Sequence, residues 1–391
     1  MQTQESTHVT FAQEPAHELG TYTKYPVALV RGRGCRVFDT EGREYLDFYA
    51  GHAVCSLGHC HPRVVEAVRK QAGELLFYSN ICYSPPRGAL AERLVKGAPE
   101  GIGKVFFCNS GSEANEAALK MARRFTGKTE IISFRGSFHG RTVGALAATG
   151  MPSYHQFQPE LPGTVFATFG DLASVEALVT ERTAGIIVEM IQSIGGIQVA
   201  DPAFYQGLRA LADRHGLVII ADEIQSGLAR GGTTMWFSQK VGMRPDLLTT
   251  AKAIAGGLPM GATLVSEAIA ATIRPNEHGT TFGGGPVAAA AALEVLTILE
   301  EDRLAERAEV LGERLRAELR AIPGVREVRG QGLLIGVALD RPAGPLVSKG
   351  WTQGLIVGGS GLPDTLRVIP PLNVTDADVE EFLVRFRELL A

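Results

Sequence analysis

Five short apolar runs punctuate the middle of this sequence: KVFFC (104–108), EIISF (130–134), AGIIVEM (184–190), GLVIIAD (216–222) and PDLLTTA (245–251). Four are rich in β-branched residues, and most lead into a helical or Gly-rich stretch. Continuous apolar strands alternating with helices predict a largely parallel sheet covered on both faces. In open sheets of this kind ligands sit at the C-terminal ends of the strands. Polar residues gather there: Asn109-Ser110-Gly111-Ser112 after the first run, Ser137-Phe138-His139 shortly after the second, then Glu189, Asp222 and Lys252.

The flanking segments follow different patterns. The first twenty residues read as loosely structured, and VALVRGRGCRVFDTEGREYLDF (27–48) alternates around the turn Thr40-Glu41-Gly42 as an antiparallel hairpin does. After about residue 300 come a helix rich in Glu, Arg, Ala and Leu, the short strands GLLIGVAL and LRVIPPL, and a last helix, DADVEEFLVRFRELLA. The hairpin has no place in a parallel sheet. The expected division is therefore a large domain over 57–298 and a smaller α+β domain built from 1–56 and 299–391.

Composition removes several function classes. A net charge of −4 without a basic stripe gives no signature for nucleic acid. No run is long enough to span a membrane. The polar, acidic N-terminus lacks the basic start and apolar core of a signal peptide, and five scattered cysteines suit free thiols in a reducing compartment. The expected location is the cytoplasm. There is no Gly-x-Gly-x-x-Gly opening a helix and no P-loop, which weighs against a nucleotide-binding protein. His52, Cys55, His59, Cys60 and His61 cluster, but their spacing matches no standard zinc pattern and no metal site is expected.

The strand-end residues have definite chemistry. CNSGSEANEAALKMARRF starts an amphipathic helix with Ala114, Ala117, Met121 and Phe125 on one face, and Ser110 and Glu113 fit a capping box. Such an N-terminus either merely caps a helix or receives a phosphate. Asp222 closes an apolar run and needs a partner at that depth, either a structural cation or the protonated ring nitrogen of pyridoxal phosphate. Phe138 is either core or a ring-stacking face. Lys252 is the lone charge in LLTTAKAIAGG, either snorkelling to the surface or held as a reactive amine.

NSGSEANEAALKMAR, SFHGRT, VIIADEIQSGLARGG, PDLLTTAKAIAGGLPMGA and GTTFGGGP resemble the successive signatures of class III pyridoxal-phosphate aminotransferases, the ornithine and acetylornithine aminotransferase group. The resemblance runs from about Tyr25 to the C-terminus. It implies a fold-type I α/β transferase, a large domain with a mostly parallel central sheet plus a smaller α+β domain, in a homodimer with active sites at the interface. It implies pyridoxal 5'-phosphate as cofactor, with Lys252 as the Schiff-base lysine, Asp222 on the ring nitrogen and Gln225 on the ring hydroxyl oxygen. Gly111 and Ser112 hold the phosphate, with Thr281 of the partner subunit. Phe138 stacks on the ring, His139 lies beside it, and Glu189 belongs to the same cofactor site. Arg141 and Arg367 bind substrate carboxylates.

Two departures stand out. Relatives commonly have EPxQGEGG where this chain has EMIQSIGG (189–196), so Ile194 replaces a glutamate that pairs with the position of Arg367. That leaves the arginine unmasked and favours donors with an α-carboxylate there. Gly285 stands where relatives have asparagine. The activity implied is transfer of the terminal amino group of an N-acylated ornithine, or a similar ω-amino acid, to 2-oxoglutarate, as in arginine biosynthesis. Alternatives are a carrier-protein-bound aminoadipate-semialdehyde aminotransferase of lysine biosynthesis and a 4-aminobutyrate-type enzyme. A non-catalytic ligand-binding relative is disfavoured by the intact Lys252, Asp222 and Gln225.

Overall fold

The computed structural model describes residues 13–156 and 161–391. The expectation of loose structure over 1–20 falls outside these for residues 1–12, and residues 13–17 are helical. The N-terminal alternation forms three antiparallel strands rather than a simple hairpin: β1 (Leu29–Arg33), β2 (Arg36–Asp39) and β3 (Glu44–Asp47).

The central sheet contains β4 (Ile102–Cys108), β5 (Glu130–Phe134), β6 (Thr164–Ala167) and β7 (Thr183–Glu189). It continues with β8 (Val218–Asp222), β9 (Leu247–Thr250) and β10 (Gly261–Ser266). The spatial order is β4-β10-β9-β8-β7-β5-β6. All five predicted apolar runs are present, and β7, β8 and β9 are buried along their whole length, as strands covered on both faces must be. The sequence reading missed β6 and β10. β10 runs antiparallel to both β9 and β4. Only residues 251–260 separate β9 from β10, too few for the crossover of a dozen or more residues that a parallel partner needs.

Helix Gly111–Thr126 packs across the sheet against β7 to β10. Its buried face is built of Ala114, Ala117, Ala118, Met121 and Ala122, small enough to bring the helix close. Phe125, expected on that face, is instead 42% exposed.

The C-terminal part carries β11 (Val325–Gln331), β12 (Leu334–Leu339), β13 (Leu355–Ile356), β14 (Gly358–Gly359) and β15 (Thr365–Val368). β13 pairs in parallel with β3, while the other four form a sheet of order β11-β12-β15-β14. The last helix, Asp376–Leu390, is capped by Thr375, and Arg36 binds its Asp378 and Glu381 at 2.8 and 2.6 Å. Phe48 stacks on Phe382 at 4.1 Å with both rings fully buried. Burying each ring contributes roughly 1.5–3 kcal/mol. The two ends of the chain are thus fastened together by pairing, charge and packing.

Candidate active site

Six strands of the central sheet point their C-terminal ends the same way, because β10 alone is reversed. Two adjoining cavities open there, of about 330 and 700 Å³. Ser112, Phe138, Ile224 and Lys252 line both. Gly111 and His139 line the smaller; Arg141, Glu189, Asp222, Gln225 and Arg367 line the larger. Ten of the residues singled out from the sequence therefore converge on one place. Thr281 does not: it is exposed and lines neither cavity.

Lys252 follows β9 and opens the 3-10 turn Lys252–Ala255. Its φ of +39° lies in the left-handed region, a strain of roughly 1–3 kcal/mol that aims the side chain into the cavities. Burial lowers its pKa; Arg367 acts in the same sense, and Asp222 and Glu189 oppose it. Such a lysine offers a neutral amine more readily than a surface lysine.

Asp222, level with Glu189 on β7 and Thr249 on β9, is held by three donors. Its Oδ2 accepts from Asn115 Nδ2 at 2.8 Å and is 2.7 Å from His139 Nδ1, while Oδ1 accepts the Ile224 N–H at 3.1 Å. Asn115 is in turn fixed by Thr249, whose hydroxyl donates to its Oδ1 at 2.7 Å, and by donating to the His139 carbonyl at 2.8 Å. Sequence reading missed Asn115. A signal existed, since Asn115 shares the helix face of Ala118 and Ala122 at i+3 and i+7, where an apolar residue is the rule.

Glu189 braces two loops, its carboxylate accepting the Phe138 N–H at 2.7 Å and the Ser193 N–H at 3.1 Å. Burial pushes its pKa up to about 7. Phe138 meets Tyr154 edge-on at 5.1 Å. The exposed Arg141 lies over the rings of Tyr154 and Tyr22 at 5.0 and 5.8 Å. These contacts also escaped sequence reading.

Arg367 lies on β15. It is only 5% exposed, because β15 runs between β12 and β14. It donates to the Gly359 carbonyl at 2.6 Å, to Ser193 Oγ at 3.1 Å and to the Tyr49 hydroxyl. Ile194 lines the same cavity, and among the described residues no carboxylate pairs with Arg367. Its guanidinium is held here by hydroxyl and carbonyl oxygens. Gly285 lies outside both cavities as the N-cap of helix Pro286–Glu301. An asparagine there could cap the helix with its side chain, and glycine is nearly as well tolerated.

The start of helix Gly111–Thr126 suits an anion. Ser110 Oγ accepts the Glu113 N–H at 3.2 Å, one half of the expected capping box. The other half is displaced, since Glu113 Oε2 takes the N–H of Asn109 at 2.8 Å rather than that of Ser110. Backbone N–H groups of a first helical turn lack intrahelical partners, and the dipole favours negative charge. Two features make this a cradle for a phosphorylated ring. A Cβ at Gly111 would come within 2.8 Å of Ile224 and one at Gly140 within 2.3 Å of Ser112 Oγ, so side chains there would fill the cleft. His139, which lines the smaller cavity, buries its Nε2 with no hydrogen-bond partner among the described residues. The residues present fit pyridoxal phosphate.

Relatives agree with this chemistry. The model of the family "Aminotransferase class-III" matches residues 20–390. The acetylornithine aminotransferase of Methanopyrus kandleri is 41% identical over 379 residues, 96% of this chain and 97% of that protein. The acetylornithine aminotransferase of Myxococcus xanthus is 42% identical over 388 residues, 96% of each. A crystal structure of the ornithine aminotransferase of Toxoplasma gondii, with partial occupancy of pyridoxal phosphate at its active site, superposes with a TM-score of 0.91. It is 32% identical, over 98% of this chain and 94% of that one. The fold is thus the fold-type I arrangement expected, and the chain belongs to the class-III aminotransferases, with pyridoxal phosphate as its cofactor and amino and keto acids as its substrates.

Proposed function

We propose that this enzyme moves the terminal amino group of an N-acylated ornithine, or a similar ω-amino acid, to 2-oxoglutarate, giving glutamate and a semialdehyde. The observation that carries the reading is a pair of guanidinium groups, Arg141 and Arg367, lining the Lys252 cavity with no carboxylate paired to either among the described residues. Planar forks of this kind grip carboxylates, and two of them suit a dicarboxylate. Relatives named acetylornithine aminotransferase, alike over nearly the whole chain, favour a donor of that type.

In this reading the N–H groups of Gly111 and Ser112 hold the phosphate, Phe138 covers one face of the ring, and His139 and Glu189 support the site. Asp222 meets the ring nitrogen and Gln225 the ring oxygen. Bound pyridoxal phosphate supplies an aldehyde carbon for amines and a ring that takes up electrons. Lys252 anchors the cofactor and then carries a proton from the substrate's amine-bearing carbon. Arg141 and Arg367 orient the substrate from its carboxylates.

The test is to mix the cofactor-loaded enzyme with N-acetylornithine, ornithine and glutamate separately, following the near-visible absorbance. N-acetylornithine and glutamate should each change it at least ~10-fold faster than ornithine does. A change with glutamate alone would favour a second reading that the open charge of Arg367 also supports, a donor with a carboxylate on its reacting carbon. No change with any of them would overturn the proposal.

We also infer a homodimer with the site at its interface. Thr281 sits beside Phe282, which is 65% exposed and meets Phe77 at 5.1 Å. Tyr78, Ile81 and Tyr83 are exposed as well, at 53, 84 and 106%. Exposed apolar residues in such number mark a contact surface. Sedimentation of the cofactor-loaded protein should show a dimer, and a monomer at micromolar concentration would sink the inference.

A further inference from the structure

An arginine has five N–H donors. The fold engages three of those of Arg367, on Gly359, Ser193 and Tyr49, and leaves two for an anion. Ser193 is buried, and its backbone N–H is pinned on Glu189 at 3.1 Å, so its hydroxyl has little freedom to move elsewhere. That hydroxyl also bonds Gln225 Oε1.

A serine hydroxyl carries one proton. Arg367 donates to Ser193 Oγ, and the serine proton goes to Gln225 Oε1. The Gln225 amide faces Ser193 with Oε1, and its Nε2 is free of protein partners among the described residues, in the larger cavity. Donation from a cation also polarises the hydroxyl and strengthens its own bond to Gln225.

We propose that Ser193 is a positioning residue that couples the carboxylate-binding Arg367 to Gln225, so that Gln225 turns its N–H edge to the cofactor through a bond set by the guanidinium. The inference rests on the reading that Arg367 takes a substrate carboxylate and Gln225 meets the ring oxygen. A carboxylate arriving on the two open N–H groups draws on the same guanidinium charge. Occupancy at one end of the cavity is thereby felt by the amide at the other.

The experiment compares Ser193→Ala and Ser193→Thr in the cofactor-loaded enzyme. One readout is the pH titration of the visible absorbance without substrate. The other is KM and kcat for glutamate and for the amine donor. An oxygen deprived of a fixed N–H donor binds its proton more tightly, so in S193A the titration midpoint should rise by ~0.5 pH unit or more. KM for glutamate should rise ~10-fold, with kcat changed less than ~3-fold, and KM for the donor, if it lacks a carboxylate on the reacting carbon, changed little. S193T keeps the hydroxyl and should recover both values. In case its methyl disturbs the buried loop, S193A is also placed in a Gln225→Ala background, where the link predicts no further shift in midpoint. An unchanged midpoint in S193A, or the same shift with and without Gln225, overturns the coupling. Arg367→Ala separates the two levels. If it leaves KM for glutamate unchanged, the carboxylate assignment of Arg367 fails; if it raises KM while S193A is silent, only the coupling fails.

Discussion

Lys252→Ala is expected to cut turnover by ~10⁴-fold or more, since in the proposed mechanism Lys252 is both the covalent anchor and the proton carrier. The near-visible absorbance that depends on the lysine–cofactor link should vanish with it, while cofactor held by non-covalent contacts is retained in part. Stability should move the other way. Lys252 keeps an amine away from water, with a pKa lowered chiefly by burial, on a backbone at φ +39°. Alanine keeps the backbone strain but relieves the desolvation, so the cofactor-free variant should melt no lower than the cofactor-free parent. Turnover within tenfold of the parent would remove Lys252 from the chemistry. A large fall in melting temperature would show that the lysine is structural instead.

The second large effect is expected at Asp222. Opposite charges at contact interact by roughly 4 kcal/mol at an effective dielectric near 20, which corresponds to ~10³-fold in rate. Asp222→Asn keeps the shape and removes the charge that would face the ring nitrogen. It should lower kcat by about that factor. Its neighbours complicate the amide, because Asn115 and Ile224 donate to the carboxylate and His139 Nδ1 lies 2.7 Å from it. An amide offers one acceptor oxygen, so one of these contacts is lost and the melting temperature should fall by a few degrees. The measurement is kcat together with cofactor retention on dialysis. A normal kcat, or a loss explained wholly by released cofactor, would sink the charge role.

Much of this protein is local and therefore legible. The continuous apolar runs of β7, β8 and β9 can be satisfied only by burial on both faces, so the parallel sheet follows from residue type alone. Gly111, Ser112, Asp222 and Lys252 fall at strand ends for the same reason, and their order along the chain carried the family resemblance. β10 was missed because GATLVS follows directly on the Gly- and Pro-containing AGGLPM, and its direction is set by the short connection to β9.

What the chain could not state by itself is which side chains meet across long separations. Asn115 reaches Asp222 and Thr249 across 107 and 134 residues, and Arg367 reaches Ser193 and Tyr49 across 174 and 318. Those contacts exist because one helix crosses the sheet on an alanine face and β15 is enclosed by two neighbours. The cofactor was legible through the motifs that carry the family resemblance. The open charge of Arg367, and the hydroxyls that hold it in place of a carboxylate, were decided by packing between segments that have no local means of specifying one another.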